Sequence, residues 1–70
     1  MQHQVQSRSE FTRPVAIEVS GEPVGIAVPD EDGYRFLAVR LSAFGSDGRV
    51  FATLEAARKA VAEEVEASRN

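Results

Sequence analysis

The residues able to do chemistry in this chain are few, and their spacing points to binding. A general base must be held within hydrogen-bond reach of the proton it takes. The sole histidine, His3, sits in a polar stretch with no periodic pattern to hold it. Ser7, Ser9, Ser20, Ser42, Ser46 and Ser68 have no His, Lys or Asp arranged to activate them. No glycine cluster precedes a helix with the Lys-Ser/Thr ending of a phosphate-binding loop. There is no cysteine, so neither a disulfide nor a thiolate metal site can form. These residues predict no enzyme, no cofactor and no metal.

The charged residues carry more. Asp30, Glu31 and Asp32 lack the alternating ligands and distant closing Glu of a calcium loop. They read as a solvated turn that can join an acidic binding surface. Glu63, Glu64 and Glu66 fall where a C-terminal helix should end. Carboxylates there oppose the macrodipole by about 0.3–1 kcal/mol each at low salt. A helix optimised for stability would carry Lys or Arg, so these three are candidates for contacting a basic partner. Arg35, Arg40 and Arg49 lie on or beside the later strands. Arg35 and Arg40 have opposite parity, so they form no stripe. They read best as charges that blunt sheet edges.

Positioning these groups falls to a small chain. Its 70 residues leave room for one domain. Such a domain buries only about 60% of the surface its unfolded chain exposes, which makes oligomerisation a plausible source of further burial. The net charge of −3 lacks the basic footprint of a general nucleic-acid binder and suits a partner with a basic surface. No apolar run reaches the roughly 18 residues that cross a bilayer. The first residues lack the apolar core of a signal peptide. The expectation is a cytoplasmic protein with no membrane contact, a disordered tail over 1–12, and one domain over 13–70.

Hydrophobic periodicity sets the elements. Val15, Ile17 and Val19 alternate with Ala16, Glu18 and Ser20, the period of a half-buried strand. Gly21-Glu22-Pro23 breaks the pattern, and Val24, Ile26 and Val28 alternate again as a second strand. Asp30-Glu31-Asp32-Gly33 has the chemistry of a tight hairpin turn. Residues 34–41 form a third strand, 42–48 a loop, and 49–52 a short fourth strand. Thr53 is placed to cap a helix over 54–67, with Leu54, Ala57, Val61 and Val65 making its apolar face. The fold class is α+β: a three- to four-stranded antiparallel meander followed by one C-terminal helix on one sheet face.

One helix covers one face. The pattern assigns Val15, Ile17, Val19, Val24, Ile26 and Val28 to the covered face, with Ala16, Glu18, Gly25 and Ala27 on the other. The third strand offers two apolar sets, Tyr34 with Phe36, or Leu37 with Val39 and Leu41. One set must be left on the open face, where it could support partner docking or a homodimer.

Two resemblances follow this element order. Pro29-Asp30-Glu31-Asp32-Gly33-Tyr34 and Thr53-Leu54-Glu55-Ala56-Ala57 resemble the turn and helix opening of HicB-type antitoxins, implying a β-β-β-α half of a partial RNase-H-like fold. Gly33-Tyr34-Arg35-Phe36-Leu37-Ala38 and Phe51-Ala52-Thr53-Leu54-Glu55-Ala56-Ala57 resemble the three-strand-plus-helix DNA-binding domain of tyrosine integrases and of plant factors of the APETALA type. That second likeness implies major-groove reading from the open sheet face, with Arg35, Arg40 and Arg49 as the contacts. Too few cations converge there to favour it.

The function expected is that of a small regulatory or inhibitory protein that binds another protein. Anti-CRISPR proteins and antitoxins are examples of this size and charge class. Asp30, Glu31, Asp32, Glu63, Glu64 and Glu66 are the candidate contacts, with carboxylates standing where phosphates would lie. A DNA-binding module and a structural homodimer are the competing classes.

Overall fold

The computed structural model describes residues 13–68. The expected tail over 1–12, with His3, lies outside the described residues. Among those described, the order is β1 (Val15–Val19), β2 (Glu22–Asp30), β3 (Gly33–Ala38), a 3-10 helix (Leu41–Ser46), β4 (Val50–Phe51) and α1 (Leu54–Ser68). The strands form one antiparallel sheet in the order β1-β2-β3-β4. It is an α+β fold, an open meander closed on one side by a C-terminal helix.

Local chemistry explains the hairpins. Ser20 and Gly21 both have positive φ, 55° and 80°, the backbone of a two-residue turn that follows the twist of its strands. Val19 and Glu22 pair directly across it, so β2 begins earlier than the break at Gly21-Glu22-Pro23 suggests. The second turn has Glu31 and Asp32 at its tip, between the paired Asp30 and Gly33. Gly33 is needed there twice over. Its φ is +139°, and a side chain would run into the carbonyl of Phe51.

The core lies between the sheet and α1. Ile17, Phe36 and Val61 are its largest fully enclosed apolar side chains. Each contributes about 1.5–3 kcal/mol by leaving water. Ala57, Val61 and Val65 are buried, and Leu54 packs half-buried against them, as the spacing predicts. The Thr53 hydroxyl accepts the Ala56 N–H at 3.0 Å and caps the helix.

The facing of β2 departs from the alternation. Ile17 pairs with Gly25, but Glu18 pairs with Pro23, leaving Val24 as an extra residue in β2. This bulge turns Val24 inward beside Gly25 and reverses the parity of everything after it. Gly25 and Ala27 therefore lie under the helix, while Ile26 and Val28 sit half-buried on the opposite face. Packing volume fixes the choice. The ring of Phe36 fills the place where a Gly25 side chain would be, so only a glycine permits Phe36 to enter the core.

β3 is also shorter than its composition suggests. It ends at Ala38, whose N–H is taken by the Asp47 carboxylate at 2.8 Å. The expected loop over 42–48 is largely the 3-10 helix, which buries Ala43 and Ser46 under α1. Leu41 belongs to that helix rather than to the sheet.

Candidate docking surface

The open face can be read row by row, because residues paired across strands share a face. One row runs Ala16, Ile26, Leu37. The next runs Val28, Arg35, Val50. Leu37 and Val50 are 38% and 39% exposed, and Ile26 and Val28 are half-buried. Val39, 63% exposed, follows Leu37 and donates its N–H to the Val24 carbonyl at 2.9 Å. Among the described residues, helix and 3-10 helix both pack on the other side, against the core cluster. What remains here is a small aliphatic surface with one cation in its second row.

That cation is engaged. The Arg35 guanidinium donates to Asp30 Oδ2 at 3.0 and 3.2 Å and to the Gly48 carbonyl at 3.1 Å. It ties the β2–β3 turn to the residue before β4. Arg40 forms a 3.1 Å salt bridge with Glu22, and Arg49 lies 5.0 Å above the Phe51 ring. Exposed pairs of this kind contribute about 0.2–1 kcal/mol. All three arginines are thus occupied within the chain, and only Arg35 sits on the open face.

The six candidate carboxylates divide into two groups. Asp30, Glu31 and Asp32 border the open face at the β2–β3 turn. Asp30 is consumed by Arg35 and by the Glu31 N–H. Glu31 and Asp32 point to solvent. Glu63, Glu64 and Glu66 lie toward the far end of α1. Gly33 lies against Phe51 and Ala52, just before α1 begins, and Glu64 falls ten positions after Leu54, about 15 Å along the axis. The two groups do not converge.

Glu64 has a structural task. It accepts a short hydrogen bond from the Ser46 hydroxyl, and its carboxylate lies where a Gly45 side chain would begin. Ser46 is the one polar residue in the described core, 1% exposed, and Glu64 satisfies it. Part of the charge mismatch at the helix end is explained by this contact. Glu63 and Glu66 remain exposed.

No protein-family model matches the chain, and neither the curated proteins nor the solved structures yielded a match. Among the described residues, no three His, Cys, Asp or Glu side chains stand close enough to hold a metal ion. No helix there is long and apolar enough to cross a membrane.

Alternation alone hides Ile26 and Val28 as surface residues. The signal that could have found them is size. Gly25 and Ala27 are the small residues of β2, and small residues belong opposite a ring such as Phe36.

Proposed function

We propose that this chain is a small regulatory or inhibitory protein that acts by docking on another protein through its open sheet face. The observation that carries the reading is the pair of rows on that face. Ile26, Val28, Leu37 and Val50 form a contiguous aliphatic surface with no covering element among the described residues. Glu31 and Asp32 stand at its margin, unpaired within the described chain, and favour a partner with a basic rim. Asp30 and Glu64 drop out as contacts because internal bonds occupy them, and Glu63 and Glu66 would reach only a second, separate contact.

The competing reading as a DNA-binding module needs free cations on the same face. Among the described residues Arg35 is the single one there, and Asp30 neutralises it.

The test is affinity capture from host lysate, with wild type beside Leu37→Asp and the double variant Glu31→Lys/Asp32→Lys. One protein retained by wild type and lost with Leu37→Asp supports the reading. Equal capture by all three chains, or no protein captured, removes it.

A further inference from the structure

Two Asp-Gly steps occur in this chain, Asp32–Gly33 and Asp47–Gly48. Such a step is open to attack of the main chain on its own side chain, because glycine has no Cβ to shield its nitrogen. The reaction needs an Asp carboxyl free to swing back and a glycine N–H free to leave its partner. The fold treats the two steps differently.

Both aspartates are exposed, so access to water does not separate them. Hydrogen bonding does. Asp47 Oδ1 accepts the Ala38 N–H at 2.8 Å, and the Asp47 N–H donates to the Phe44 carbonyl at 3.1 Å. The Gly48 N–H donates to the Phe36 carbonyl at 2.7 Å, and the Gly48 carbonyl accepts Arg35 Nη1 at 3.1 Å. Side chain and main chain are both held there. The Asp32 side chain makes no hydrogen bond or salt bridge among the described residues, since Arg35 takes Asp30 instead. Gly33 forms the last rung of the β2–β3 ladder, opposite Asp30, and the end of a ladder opens first.

We propose that Asp32 is a modification site, at which the chain isomerises spontaneously to isoaspartate, while Asp47 is held against the same reaction. The Gly33 nitrogen bonds to Asp32 Cγ. The Cγ–OH bond breaks, and the hydroxyl leaves with the amide proton as water, closing a five-membered imide. One water then reopens the ring. Addition at Cγ restores aspartate. Addition at the Asp32 main-chain carbonyl leaves Gly33 joined through Cγ, which is the isoaspartate. Water is released and regained, nothing is oxidised, and no co-reactant is required.

The fold gives this change a consequence. Isoaspartate carries the main chain through Cβ and Cγ, one carbon longer, in a two-residue turn whose length sets the register of β2 against β3. Gly33 has no room to absorb the extra carbon, because the Phe51 carbonyl lies where its Cβ would be. Turn geometry and strand register cannot both survive. Isomerisation at Asp32 does not depend on partner docking at the open face.

The test is peptide mapping of the full chain after prolonged incubation at physiological temperature and neutral pH. Fragment mass spectrometry and labelling by an isoaspartyl methyltransferase quantify isoaspartate at each position. In the folded protein, position 32 should accumulate it roughly ten-fold faster than position 47, a barrier difference of about 1.4 kcal/mol. In urea, where Asp47 loses its partners, the two rates should converge. Asp32→Glu should abolish the signal at 32, because its ring would need six members, and circular dichroism checks that this variant folds. No isoaspartate at 32 in the folded chain, or equal accumulation at both positions there, overturns the proposal. So does a gap between the positions that urea leaves unchanged, since sequence context and not the fold would then set it.

Discussion

The Phe36 ring and the Gly25 backbone are in direct contact, with the ring occupying the volume in which any larger residue at 25 would begin its side chain. Phe36 is fully buried and pairs across the sheet with Ala27, so two small residues of β2 form the seat of the largest fully buried side chain among the described residues. Gly25→Ala should cost about 1–3 kcal/mol by overpacking. Urea unfolding reads the loss as a lower midpoint at unchanged slope. Adding Phe36→Leu should recover part of it, because the smaller side chain frees that volume.

Phe36→Ala is the harsher change. Truncating a buried Phe costs about 3–5 kcal/mol. A domain of this length has about 0.05–0.15 kcal/mol per residue to lose. The variant should lose its cooperative thermal transition in circular dichroism. A retained sharp transition would mean that the core does not centre on this ring.

Ser46 and Glu64 hold the 3-10 helix against α1. Glu64→Ala leaves a buried hydroxyl without a partner, which costs about 1–3 kcal/mol. Ser46→Ala in the Glu64→Ala background should then be nearly free, and a double-mutant cycle should report strong coupling. Additive losses would show that the two side chains act independently.

Thr53→Ala removes the oxygen that caps α1. The expected loss is about 0.5–2 kcal/mol, read by chemical denaturation. Thr53→Asp should retain most of the stability, because its carboxylate can accept the same N–H and favours the positive end of the helix.

Leu37→Asp separates fold from function. Leu37 is 38% exposed on the open face of an interior strand, so the change should cost only about 1 kcal/mol in thermal melts, the range of strand propensity. Partner capture should nevertheless be lost. A large drop in melting temperature instead would place Leu37 in the packing of the domain rather than on its docking surface.

The amino-acid sequence by itself determined the α+β class, the order of elements, the turn at Asp30–Gly33, the Thr53 cap and the buried stripe of α1. Each of these rests on local chemistry: alternation, turn propensity, capping and a helical period. It left open which set of β3 faces inward, and it placed Ile26 and Val28 on the wrong side. Every residue from Val24 to Val28 is aliphatic or glycine, so hydrophobicity favours the larger alternate set without knowing what lies opposite. Only the tertiary structure supplies the opposing volume. There Phe36 needs Gly25 and Ala27 beneath it, and the bulge at Val24 provides the change of parity that brings them inward. The same holds for charge. Glu64 and Asp30 look alike to Glu63 and Asp32 in the sequence, but Ser46 and Arg35 reach them from residues far along the chain or across a turn. Which carboxylates remain for a partner is a property of packing, because an ion pair or buried hydroxyl is defined by neighbours in space.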